Sequence, residues 1–329
     1  MRPRNGPGVT VVGAGIIGSS IARRLALGGC RVRLIDAGEA GHGATHAAAG
    51  MLAPGGEFDT DSVWLRLGRR SLELYPKWVG ELEEETGLKI DFSMSGAFEY
   101  PEPGSDFSAL AHRCERQKLL GIRCEMRGNV AWYPGDGAVD PRTVFHALLG
   151  SCRRHGVEIV EHQRIELIDD SEGPVVIAAG AWSGTIPVQS DGRRMKTPQT
   201  IPVKGHLIGY SLPPGSLPHI LRSGHTYIVQ RANGFTIVGS TSQQVGFHGA
   251  VDEELCDDLS RRGEQLWPEL SRHRPASKWI GFRPLCQTGE PAIGRLDRTG
   301  IWLAYGHYRN GILLAPATAE ILAEGILGL

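Results

Sequence analysis

Three glycines, Gly13, Gly15 and Gly18, followed 18 residues further on by Asp36, are the residues whose types and spacing point most directly to chemistry. Gly13 permits a tight turn, Gly15 lets backbone N–H groups approach a pyrophosphate, and Gly18 lets the next helix pack close against the preceding strand. A helix beginning there turns its positive end toward an anion. Asp36 closes the following strand, where its carboxylate can accept hydrogen bonds from both hydroxyls of a ribose and disfavours a ribose bearing a 2′-phosphate. The pattern reads as a dinucleotide site, the alternative being an ordinary tight βα turn. No metal set stands beside it. Cys30, Cys114, Cys124, Cys152, Cys256 and Cys286 are scattered without a Cys-x-x-Cys pair, against both a zinc site and a redox dithiol. His42 and His46 have i,i+4 spacing, but the glycines around them argue against a helix that would aim both at one ion.

These residues need a strand, a turn and a helix, and the pattern supplies all three. An apolar run over 9–12 enters the glycine turn, a helix follows over 19–27, and 31–35 reads as the second strand. The small-residue run 41–54 suits backbone that approaches a ligand closely. A helix presenting Leu65, Leu72, Tyr75, Trp78, Val79 and Leu82 on one face ends at Gly87. Strand-like pieces lie around Ile90 and over 97–100, and a helix over 107–120. Asp140-Pro141 opens another helix, with proline at its first turn. Strands are expected over 157–160 and 175–178, then antiparallel strands over 202–210, 227–230 and 235–240, with a helix over 252–266 on one face. A strand over 301–305, a glycine turn and a helix over 315–326 complete the pattern. It divides into a nucleotide-binding domain of 1–85, 136–186 and 281–329, interleaved with a substrate-binding domain of 86–135 and 187–280.

Composition excludes other classes. The 329 residues, 41% hydrophobic with a formal charge of −1, are enough for two cores and carry no broad basic field for nucleic acid or an anionic membrane. Residues 1–8 hold two arginines, but the apolar run after them breaks at Gly13, short of a signal peptide's core. No apolar stretch approaches the ~20 residues that span a bilayer. The expectation is a cytoplasmic enzyme, with self-association left open.

Three motifs in order carry a family resemblance: the N-terminal glycine signature, Ala-Ala-Ala-Gly-Met-Leu-Ala-Pro at 47–54, and Gly-His-Tyr-Arg-Asn-Gly-Ile-Leu-Leu-Ala-Pro-Ala-Thr at 306–318. Over nearly the whole chain the sequence resembles the D-amino-acid-oxidase (DAO) superfamily of flavoproteins, in its ThiO-type glycine-oxidase branch. The resemblance implies an α/β fold: a Rossmann-like FAD-binding domain of the GR2/DAO type, with an α+β substrate domain on a mixed, largely antiparallel sheet. It implies noncovalent FAD rather than NAD, lined by Gly13, Gly15, Ile16, Ile17, Gly18, Asp36, Ala37, Ala44, Thr45, Ala49, Gly50 and Met51. Ile165, in a strand-like 164–166, matches a backbone contact to adenine, and Gly180 lies in a second small-residue run. His307, Tyr308, Asn310, Gly311, Ile312 and Leu313 should lie against the flavin ring. For substrate, Arg283 matches the residue that clamps an amino-acid carboxylate, Arg309 a second residue at the active-site end of the flavin turn, and Tyr227 an aromatic hydroxyl beside it. A planar guanidinium can meet both carboxylate oxygens at once.

The implied reaction is oxidation of glycine by hydride transfer to flavin N5, with O2 as acceptor, giving an imine or glyoxylate, ammonia and hydrogen peroxide for thiamine thiazole synthesis. Positioning rather than a protein base then does the work, so no catalytic residue beyond the flavin is named. Oxidation or dehydrogenation of sarcosine, a D-amino acid or another small amine, a cyanide-forming subunit and a non-catalytic flavoprotein subunit are the alternatives. Three departures from the family pattern stand out. Only nine residues separate Ile165 from Val175, too few for the usual β-meander. His46 sits one place before Ala47, the position of the histidine in relatives that attach FAD covalently. Arg222 stands where an aromatic is expected near the pocket mouth, favouring a substrate with a second acidic group.

Overall fold

The computed structural model describes residues 7–58 and 60–328; residues 1–6, counted from sequence with the nucleotide-binding domain, lie outside the described residues. Its first strand, Gly8–Val12, lies inside a six-stranded sheet ordered Ala292–Arg295, Ile301–Tyr305, Val175–Ile177, Gly8–Val12, Arg31–Ile35, Glu158–Val160. All neighbours are parallel except the first pair. Val9, Val11, Leu34, Val176 and Ile177 are buried, as expected of β-branched and apolar strands covered on both faces. Parallel strands need crossovers, and helix Ile16–Leu27 is the first. It packs against Pro141–Arg154 and Gly311–Leu327, and Val63–Thr86 packs on both of those. Ile21, Leu25, Leu82, Leu148 and Leu314 lie in that core.

A second, eight-stranded sheet carries the other domain, ordered Ser277–Cys286, Thr200–Ser211, Phe235–Gly239, Thr226–Gln230, Ile220–Ser223, Ala97–Glu99, Val130–Tyr133, Glu125–Arg127. Its pairings are antiparallel except Ile220–Ser223 with Ala97–Glu99, so the sheet is mixed and largely antiparallel. Helix Glu253–Leu266, capped by the Asp252 side chain, lays Cys256 and Leu259 on Ile208, Tyr210, Ile228 and Val238.

The structure departs from the sequence reading at identifiable points. Residues 164–166 are not a strand; the strand is Ile168–Asp169, which pairs with Val188–Ser190 and through it with Arg193–Met195. Residues 188–195, grouped from sequence with the substrate domain, thus pack Val188 onto Ile177 and Leu303 of the nucleotide-domain sheet. The boundary read at 280/281 falls inside the continuous strand Ser277–Cys286, whose ladder to Thr200–Ser211 runs unbroken across it. The last helix starts at Gly311, four residues before the expected 315, despite Pro316. A proline there has no N–H for the Ile312 carbonyl. Tyr75 supplies the missing donor, its hydroxyl reaching Ile312 O at 2.5 Å, and Ser71 Oγ accepts from the Ala317 N–H at 3.2 Å. Among the described residues no helix is long and apolar enough to cross a membrane.

Candidate active site

One cavity of about 600 Å³ runs from the turn after Gly8–Val12 to Arg283 and Arg309. At its first end Gly13 has φ +104, and a Cβ there would lie 2.3 Å from Ala178 O, so a side chain is excluded twice over. Helix Ile16–Leu27 has no side-chain cap of its own; its Ile16 N–H donates instead to Thr45 Oγ1 at 3.0 Å. Asp36 Oδ2 accepts from the Ala14 N–H at 2.7 Å and Oδ1 from the Gly38 N–H at 2.9 Å. A carboxylate has about four lone-pair positions, so those facing the cavity stay open to hydroxyl donors. Side-chain-free turn, open carboxylate and helix N-terminus suit the pyrophosphate and ribose of a dinucleotide such as FAD.

At the other end, strand Ser277–Cys286 carries Arg283 beneath Gly205 of its neighbour, where a Cβ would meet the guanidinium at 2.3 Å. Arg283 Nη2 donates to Ser240 Oγ at 2.7 Å and Nη1 to Thr241 O at 3.1 Å, fixing the fork while leaving N–H groups unused. Burial, the largest influence, pushes the Arg283 pKa down. Tyr227 is buried beside it, and burial pushes its phenol up, so it is a neutral donor near neutral pH. Arg309 comes from the turn before Gly311–Leu327. That turn is stitched to the arginine strand by Tyr308 N–H to Pro284 O at 2.8 Å, and closed by Asn310 N–H to His307 O at 2.9 Å. His307 lies under it, fully enclosed, with Nε2 3.1 Å from Thr318 Oγ1; burial pushes its pKa down to about 3, so the imidazole is neutral.

Of the residues expected at a flavin, Gly13, Gly15, Ile16, Ile17, Asp36, Ala37, Ala44, Thr45, Ala49, Gly50, Met51, Ile165, Gly180, His307, Tyr308, Asn310, Gly311 and Ile312 line this cavity, as do Arg283, Arg309 and Tyr227. Gly18 and Leu313 do not. Gly18 is the packing point beneath the turn, where a Cβ would fall 1.9 Å from Gly13 O, and Leu313 turns into the helix core. Residues 44–47 form a one-turn helix that starts after Gly43 and excludes His42; it leaves His46 exposed outside the cavity lining and Ala47 inside it. His42 and His46 approach to 5.2 Å between ring centroids, yet among the described residues no three His, Cys, Asp or Glu side chains are placed to hold a metal.

Arg222 is the clearest correction. It is buried, with Nε 2.9 Å from Glu99 Oε2, Nη1 2.6 Å from Asp136 Oδ2, and its guanidinium 4.3 Å over the Tyr133 ring. Two carboxylates already answer its charge, so it is not offered to a second acidic group of a substrate. The sequence reading passed over Glu57, Ser240 and Thr241. Glu57 sits 3.3 Å from Arg309 Nη2, and the other two hold Arg283. None carries a local signal, since each matters through a partner more than 40 residues away.

Residues 8–325 match the DAO family, described as FAD dependent oxidoreductase. A glycine oxidase of Pseudomonas aeruginosa is 30% identical, over 97% of this chain and 94% of that protein. A bifunctional protein ThiO/ThiG of a Synechocystis species is 32% identical over 97% of this chain, which spans only 51% of that relative's length. The crystal structure of a glycine oxidase from Geobacillus kaustophilus superposes with a TM-score of 0.90 at 28% identity, covering 97% of this chain and 94% of that one.

Proposed function

Because the chain belongs to the DAO family of FAD-dependent oxidoreductases, we propose that it is a glycine oxidase: glycine, water and O2 become glyoxylate, ammonia and hydrogen peroxide. The carrying observation is the cluster of Arg283, Arg309 and Tyr227 at one end of a cavity whose other end is a dinucleotide turn. When bound, FAD supplies the two-electron acceptor that O2 restores. Gly13, Gly15, Asp36 and the start of Ile16–Leu27 would hold its pyrophosphate and ribose. The positive end of Gly311–Leu327 would face its ring, where it favours negative charge, with the neutral His307 enclosed under the turn.

Arg283 would take the substrate carboxylate on its unused N–H groups, held rigid by Ser240 and Thr241, while Tyr227 donates to the same anion. Aiming the α-carbon in this way can lower a barrier by as much as ~7 to 11 kcal/mol relative to free reactants. Enclosure suits a small amine, and kinship with ThiO proteins points to cytoplasmic supply of a thiazole precursor. The test is turnover of glycine, sarcosine and D-amino acids by the yellow protein, with peroxide and glyoxylate assayed. Peroxide from glycine is expected; activity confined to bulky D-amino acids overturns the assignment.

A further inference from the structure

Beside the main cavity lies a second, of about 400 Å³, and Met51, Glu57, Tyr227 and Arg309 belong to the walls of both. These four side chains form the partition between the chambers. On it, Arg309 Nη2 lies 3.3 Å from Glu57 Oε1, both side chains largely shielded, and Arg309 Nη1 lies 3.5 Å from His225 Nδ1. Glu57 is held from behind. Its one-turn helix Pro54–Glu57 is gripped by helix Phe107–Leu119: Gln117 Nε2 donates to Gly55 O at 2.6 Å and to Phe58 O at 2.9 Å, and Arg113 Nη2 to Gly56 O at 3.0 Å. The partition is therefore preorganised.

Formal charges on the substrate side are Arg283 and Arg309 against Glu57, a net of plus one, with Tyr227 neutral. A monocarboxylate with an uncharged amine brings the enclosed site to zero. A second carboxylate would leave an uncompensated negative charge in a shielded space, which is strongly unfavourable. The charges of the other arginines on the second chamber are answered by buried carboxylates: Arg222, whose Nη2 alone has no partner, lies between Glu99 and Asp136, and Arg113 pairs with Glu99 and donates to Gly56 O. Arg309 is thus the cation best placed to receive a second acid, and Glu57 occupies it.

We propose that Glu57 is a specificity-determining residue: by pairing with Arg309 it confines the site to mono-acidic amines and closes the second chamber to an N-carboxymethyl arm. The proposal rests on the amine-oxidase reading above. Uncharged N-substituents, such as the methyl of sarcosine, pass the partition; the second carboxylate of iminodiacetate does not.

The test compares the holoenzyme with Glu57→Gln, which removes the charge at constant shape, and Glu57→Asp, which keeps it. Steady-state kcat/KM is measured for sarcosine and iminodiacetate, and dissociation constants for the unreactive analogues glycolate and diglycolate by perturbation of flavin absorbance. Glu57→Gln should narrow the sarcosine-to-iminodiacetate ratio, and the glycolate-to-diglycolate gap, by about tenfold or more, the worth of one charge-assisted contact. Glu57→Asp should stay within about threefold of the parent. Ratios unmoved by Glu57→Gln, or narrowed equally by Glu57→Asp, overturn the proposal. If glycine, sarcosine and iminodiacetate are all left unoxidised the oxidase reading fails, and the analogue titration still decides what Glu57 does.

Discussion

At the Gly13 end of the cavity the contacts come from backbone, including that of Ala178, and from two short polar side chains, Asp36 and Thr45, within 32 residues of Gly13. At the Arg283 end they come mainly from side chains on five separate segments, tied by hydrogen bonds and ion pairs between residues 42 to 252 positions apart. At Gly13 the first end tolerates no added atoms, because its shape there is the backbone's own. The second tolerates changes of shape but not of charge, because its selectivity is the sum of a few formal charges in a shielded space.

The largest expected effect breaks the first end. Gly13→Ala places a Cβ 2.3 Å from Ala178 O at φ +104, and the purified protein should be colourless, with FAD not restoring the absorbance. Next, Arg283→Ala should weaken carboxylate binding by about 2 to 5 kcal/mol, read as a raised KM for glycine with the FAD content of the parent. Asp36→Ala removes the acceptor for two backbone N–H groups and for the ribose, and should weaken FAD about ten- to a hundredfold in a fluorescence titration. Tyr75→Phe leaves the Ile312 carbonyl without its donor, and should cost about 1 to 3 kcal/mol of stability in denaturant melts.

A pH slope tests the buried His307 separately. The His307 pKa is about 3 in the folded chain against 6.5 for an ordinary histidine, so the unfolded chain binds the extra proton between those values. Stability is full above about pH 6.5 and falls by up to about 1.4 kcal/mol per unit as pH drops toward 3. Denaturant melts at pH 7.5 and 5 should show the loss, and His307→Gln should flatten it.

The same contrast explains what could be read in advance. The strands Arg31–Ile35 and Ile301–Tyr305 coincide with the apolar runs that announce them, and the Asp140-Pro141 start is a local cap. The glycine turn was legible because spacing alone dictates its geometry. Arg222 was not, because Glu99 and Asp136 reach it only through sheet register, 123 and 86 residues away. Leu313 sits among cavity-lining neighbours in sequence, yet one step around the helix turns it into the core. The strand expected over 164–166 failed for the same reason. Its apolar residue Ile165 packs against the cluster that contains Ile177 and Leu303, but the ladder begins at Ile168, where Val188 provides a partner.

The central claim is that the arginine end of this cavity presents glycine to a flavin held by the glycine end. Anaerobic addition of glycine to the yellow protein tests it most directly. The flavin absorbance should bleach, with a glycine dependence shifted to far higher concentration in Arg283→Ala. A yellow protein that glycine leaves unbleached, or an Arg283→Ala variant that bleaches with the parent's concentration dependence, contradicts it.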